Sequence, residues 1–259
     1  MAKIVTIINQ KGGAGKTTTT DALLSGLFKK GYKVLGIDLD PQVNLTTTAK
    51  ADPEKGTILN ILVDKEKAEK VIQKTPEHGD FIAGDRNLVG ADAMITATGR
   101  EFRLREALEE IKDSYDYIFI DTPPALGILT INALTTCDSV IIPAQASSYS
   151  EAGIMQLAET IGPVKKYTNP GIKVSGILLT RYNKRIVLSQ AIHDEIDKQI
   201  APILHSKTYE TTIREGVAIR EAAYEQRSIF NYAPNAPAVQ DYAKFIDEFL
   251  EREKVKSTE

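Results

Sequence analysis

Apolar positions along the chain fall into short β-rich runs separated by longer stretches with helical spacing. The runs are Lys3 to Asn9, Lys33 to Leu39, Tyr117 to Ile120, Ser139 to Ile142 and Lys173 to Leu179. Each is nearly continuous in Val, Ile and Leu, the mark of strands covered on both faces, and strands alternating with helices form parallel sheets. The pattern predicts an α/β fold: a single-domain, doubly wound, mostly parallel sheet over residues 1–259 with helices on both faces. Asp52-Pro53 and Thr75-Pro76 read as turns around a short helix within Ala49 to Arg100, and the charged tail Glu251 to Glu259 is expected to fray. Ligands of such sheets bind beyond the carboxyl ends of the strands, so the residues after each run are the ones to inspect.

Composition changes this picture only by exclusion. No run of about 18 apolar residues could span a bilayer, so no stable membrane insertion is expected. Cys137 is the one cysteine, which leaves no internal disulfide or multi-cysteine metal site and suits a reducing, cytoplasmic compartment. A formal net charge of -3 argues against coating nucleic acid by bulk charge, so any contact with DNA needs a local basic patch.

After the first run comes Lys11-Gly12-Gly13-Ala14-Gly15-Lys16-Thr17-Thr18, followed by a helical stretch from Thr19 to Lys30. Glycines in that context let consecutive backbone N–H groups turn toward phosphate oxygens, and the helix start adds positive potential. Lys16 can then reach β and γ phosphates, and Thr17 can ligate magnesium. The second run ends Asp38-Leu39-Asp40-Pro41-Gln42, which puts two carboxylates on one side of an extended chain. Asp40 is placed to orient an attacking water or to hold magnesium, and Asp38 to support the loop beside the nucleotide. The third run ends at Asp121-Thr122-Pro123-Pro124, a buried strand closing on a carboxylate that can help hold magnesium.

The ordinary phosphate-loop pattern has a glycine where this chain has Gln10, and it has no counterpart to Lys11. The run KGGAGKTT resembles the deviant Walker A motif of the ParA and MinD superfamily of P-loop NTPases. The DxDPQ element at Asp38 and the strand ending at Asp121 follow in the same order. This resemblance extends from Ala2 to about Leu250. It implies an ATPase that uses ATP and Mg2+, closes as a homodimer on ATP binding, and has Lys11, Lys16 and Asp40 as catalytic residues. In the family the extra lysine reaches the partner's nucleotide. Lys11 to Thr18, Asp38 and Asp121 would then bind the cofactor, and Thr17, Asp40 and Asp121 would serve the metal. Arg214 and Gly216 stand where chromosomal relatives carry a proline and an asparagine beside the base, and enter as nucleotide contacts on that ground alone.

Among superfamily functions, the resemblance to ParA and Soj partitioning proteins implies non-specific binding of double-stranded DNA, a ParB-like centromere-binding partner and a nucleoid-associated location in the cytoplasm. Lys184, Arg185, Lys207, Arg214, Arg220 and Arg227 are the candidate DNA contacts. The alternative is a MinD-like positioning switch for a protein or membrane cargo. A MinD-like anchor needs an amphipathic C-terminal helix, and Tyr242, Phe245, Ile246, Phe249 and Leu250 do form an apolar stripe. Asp241, Asp247, Glu248, Glu251 and Glu253 in the same segment would be repelled by anionic lipid, so the stripe is expected to pack inward.

Overall fold

The computed structural model describes residues 2–146 and 150–256, with side chains left out at 150–152 and 255–256. Among the described residues seven strands form one sheet: β1 (Lys3–Ile7), β2 (Val34–Asp38), β3 (Gln73–Thr75), β4 (Gly79–Ile82), β5 (Tyr117–Asp121), β6 (Ser139–Gln145) and β7 (Lys173–Thr180). Their order is β3-β4-β2-β5-β1-β6-β7, parallel throughout except where β3 pairs antiparallel with β4. The five apolar runs are all strands, and the doubly wound architecture is present.

Side chains alternate across the sheet and build a core on each face. From β5, Ile118 and Ile120 enter one cluster and Phe119 the other; from β1, Ile4 and Val5 divide likewise. One face is covered by α3 (Ile58–Leu62), α4 (Ala91–Met94), α5 (Arg103–Glu109), α6 (Ile128–Thr136), α7 (Ser150–Tyr167), α8 (Val187–Glu195) and α9 (Ala201–Ile203). The other carries α1 (Lys16–Lys29), α2 (Asn44–Ala49), α10 (Val217–Tyr224), α11 (Ile229–Tyr232) and α12 (Pro237–Lys256). On α12, Tyr242, Phe245, Ile246 and Phe249 are buried in the second cluster, so the C-terminal stripe is part of the core. No helix among the described residues is long and apolar enough to cross a membrane.

Two local expectations need correction. The segment from Ala49 to Arg100 holds, besides its turns and short helix, the β3–β4 hairpin, whose strands of three and four residues are too short for an apolar run to announce them. The tail does not fray at Glu251, because α12 continues to Lys256. Arg252 donates to the Thr208 carbonyl at 2.8 Å and pairs with Glu248 at 2.6 Å, while Lys3 pairs with Glu253 at 3.3 Å. Residues 257–259 of that expected tail lie outside the described residues.

Candidate functional site

The carboxyl ends of β1, β2, β5 and β7 converge on a cavity of about 360 Å³, within the size range of small-molecule sites. Its floor is the loop between β1 and α1. Gly13 and Gly15 take φ of +74° and +97°, conformations that cost a side-chain-bearing residue energy, and Gly15 forms the N-cap from which α1 starts at Lys16. The helix therefore begins three residues earlier than its apolar spacing suggested, which places Lys16 in the first turn. The loop is fixed from outside by the Thr180 hydroxyl donating to the Ala14 carbonyl at 2.8 Å and by the Gln145 amide donating to the Gly13 carbonyl. Thr180 and Gln145 had not been singled out as site residues, although each ends a strand and so lies where contacts were to be sought.

Electrostatics concentrate at the bottom of the cavity. Lys16 is buried, and desolvation lowers its pKa against the opposing pull of Asp121 and Asp40. Asp121 is fully buried behind Thr17, whose hydroxyl donates to it at 2.7 Å, and Thr20 donates to its other oxygen at 3.3 Å. Burial pushes its carboxyl up to about 8, and neighbouring Asp38 adds to that rise. A carboxyl so raised keeps its proton near neutral pH in the ligand-free chain, and a cation placed beside it would displace that proton. Among the described residues no group of three or more His, Cys, Asp or Glu side chains is arranged to hold a metal ion. The Thr17 hydroxyl and Asp121 together suit magnesium instead, which takes one or two protein oxygens and completes its shell with phosphate and water.

The structure sorts the sequence candidates. Gly12, Gly13, Gly15, Lys16, Thr17, Thr18, Asp40, Arg214 and Gly216 all line the cavity, so three separate segments of the chain do meet there. Ala14 is buried beneath the loop, and Lys11 lies on the loop's flank without lining the cavity. Asp38 does not face the cavity. Its carboxylate accepts the Thr46 amide and hydroxyl at 2.9 and 2.7 Å and the Asp40 amide at 3.1 Å, which fixes the turn that presents Asp40. Burial raises Asp38 to about 6. Gly216 lies so near α12 that a Cβ there would sit 2.6 Å from the Ala238 Cβ.

The basic candidates divide as well. Arg214 is not an available cation, because its guanidinium pairs with Asp241 through contacts of 2.6 and 2.9 Å and its amide donates to the same carboxylate at 3.1 Å. Sequence spacing could not show this, since Asp241 is 27 residues away on α12. Lys184 and Arg185 share with Arg214 a second groove of about 920 Å³ beside the first, and Arg220 lines the first cavity. Lys207 and Arg227 line neither. Lys207 sits beside the middle of β7, where its carbonyl accepts the Ile177 amide, and Arg227 donates to the Asn231 carbonyl.

Comparison with known proteins places these features in context. A family model described as an AAA domain matches residues 2–174. The chain is 40% identical over 253 residues to the sporulation initiation inhibitor protein Soj of Bacillus subtilis, covering 96% of this chain and 98% of that protein. It is 33% identical to the chromosome partitioning protein ParA of Myxococcus xanthus, covering 99% and 91%. Among solved structures, a putative plasmid partition protein from Borrelia burgdorferi bound to AMPPNP is similar with a TM-score of 0.81 and 25% identity over 99% of this chain and 100% of that one. A cobyrinic acid a,c-diamide synthase from Mycobacterium smegmatis with bound ADP and magnesium is similar with a TM-score of 0.79 and 29% identity over 98% and 96%.

Proposed function

The chain belongs to the family of partitioning proteins that includes ParA and Soj, and from that premise we propose that it is an ATP-dependent DNA-partitioning ATPase. The observation that carries this reading is the cavity floor, where a glycine loop, a buried lysine and a Thr17–Asp121 pair stand together at the carboxyl ends of adjacent strands. Loop amides from Gly12 to Thr18 and the Lys16 ammonium hold the phosphates of ATP, and Thr17 and Asp121 hold magnesium with Asp40 beside them. Bound magnesium supplies charge neutralisation at the phosphates. Asp40, whose carboxylate accepts the Gln42 amide at 2.9 Å, orients the water that attacks the terminal phosphate. Gly216 and the backbone at Arg214 form the far wall against the base.

ATP-loaded chains pair face to face into a homodimer in which Lys11 serves the nucleotide of the opposite copy, as an arginine finger does. The dimer binds double-stranded DNA without sequence preference in the cytoplasm, on the nucleoid. Hydrolysis is weak until a ParB-like centromere-binding protein stimulates it, and it releases the DNA. Molecular size and retention on unrelated duplexes, measured in ATP, ADP and no nucleotide, test the reading. Dimers that hold DNA only with ATP are expected. ATP-dependent dimers with no affinity for DNA would replace it with the positioning switch.

A further inference from the structure

Helix α10 presents a narrow face that the fold itself leaves unused. Ala222 is buried and Ile219 packs on the core, whereas Val217 and Tyr224 are 59% and 86% exposed and Arg220 is exposed between them. At 100° per residue these three fall within an arc of about 60°. Among the described residues the Tyr224 phenol makes no hydrogen bond and Arg220 no ion pair. Glu221 borders the stripe about 40° beyond Val217, on the side away from Arg220, and Glu225 lies about 40° further round; both act on Tyr232, whose phenol is raised by desolvation and then by these two carboxylates. Arg220 thus stands at the edge of the stripe remote from both carboxylates, about 100° from Glu221 and about 140° from Glu225. Arg220 also lines the nucleotide cavity, which puts the stripe at its rim.

A nearly bare aromatic ring next to an unpaired guanidinium calls for a ligand with negative charge beside flat apolar surface. The sugar–phosphate ribbon of a duplex has that composition, with deoxyribose faces flanked by phosphates at every step. We infer that Tyr224 is a DNA contact, its ring lying on a deoxyribose while its phenol and the Arg220 guanidinium reach neighbouring phosphates. The inference rests on the DNA-binding reading above and adds a non-ionic anchor to it. Such a contact is blind to sequence, because phosphate and sugar carry no base information.

The test uses the full chain with ATP and a salt series on a fluorescent duplex. Tyr224→Ala should weaken binding by about tenfold, the scale of losing one aromatic contact to nucleic acid. It should leave the salt slope unchanged, since no counterion-releasing charge is removed, while Arg220→Gln should flatten that slope. Tyr224→Phe should recover part of the loss. The sequence contains no tryptophan, so Tyr224→Trp supplies a single-site probe whose emission should become shielded from acrylamide only when ATP and DNA are both present. Shielding by ATP alone would mean that a second copy of the chain covers the stripe, and would overturn the inference. If the wild type holds DNA and Tyr224→Ala holds it equally well, the inference fails and the functional reading stands. If the wild type holds no DNA, both fall.

Discussion

At the scale of single residues, the site's chemistry follows from burial. Asp121 is raised to about 8 by burial and by Asp38, whereas the unfolded carboxyl ionises near pH 4. Between those values the folded chain binds one proton more than the unfolded chain, so stability falls as pH rises through the window and levels off above it. The melting temperature of the ligand-free chain is expected to drop by several degrees from about pH 5 to about pH 8. Asp121→Asn should remove most of that slope, and an unchanged profile in the variant would show that the proton is held elsewhere. Asp40→Ala should keep ATP binding and lose turnover, accumulating an ATP-bound dimer; wild-type hydrolysis would leave Asp40 with no part in the reaction. At Gly12 a Cβ would meet nothing within 4 Å of its own chain. Gly12→Val should therefore fold and melt as wild type but fail to dimerise with ATP, by size-exclusion measurement, if the open space is where a second copy approaches. The loop, Lys16, Thr17 and Asp40 were legible because their spacing is local. Arg214 was not, because its neutralising partner reaches it only through the packing of α12.

At the scale of elements, legibility tracked length and burial. Runs such as Lys173 to Leu179 are apolar for long enough to declare a strand, whereas β3 consists of Gln73, Lys74 and Thr75 at the sheet's edge, where one side meets solvent and pairing with β4 supplies the only reason to be extended. The charges from Glu251 onward suggested a loose end, yet α12 continues past them to Lys256: its apolar stripe packs under α1, as expected, and Arg252 and Glu253 fasten the last turns. The same helix shapes the site. Because the Ala238 Cβ occupies the place a side chain at Gly216 would need, and a helical alanine cannot swing aside, Gly216→Ala must move the start of α10 or the wall it closes. A loss of about 1–3 kcal/mol is expected from the denaturant midpoint, together with weaker ATP binding. A variant within about 0.5 kcal/mol of wild type and with full nucleotide affinity would show that α10 floats freely over α12.

At the scale of the whole molecule the question is how a chain with a net charge of -3 would grip a polyanion, as the proposed function requires. Between Arg181 and Arg227 the sequence carries eight basic and seven acidic residues, a difference of +1 that predicts no footprint by itself. The fold improves on that balance selectively. It withdraws Arg214 into its pair with Asp241, leaves Lys184, Arg185 and Arg220 without an ionic partner among the described residues, and places these three beside the two grooves at the carboxyl end of the sheet. It also sets Glu210, Asp247, Glu248 and Glu251 in the second groove, opposite Lys184 and Arg185, so a lone protomer offers a divided surface. Duplication in a dimer would double the cationic rim, and affinity should then depend on assembly. Replacing Arg185 and Arg220 together with Glu removes two phosphate contacts per protomer, or about four per dimer. At about 0.9 per contact the logarithmic salt slope should fall by about 3.6, with affinity for unrelated duplexes reduced alike. Because Arg220 also lines the nucleotide cavity, ATP affinity is measured alongside, and Arg185→Glu alone should bind ATP and dimerise as wild type. Unchanged affinity and slope would move the DNA surface to another face of the protein. A slope lost together with dimerisation would instead make the rim part of the contact between protomers, with Arg185 or Arg220 meeting the acidic wall of the partner's groove.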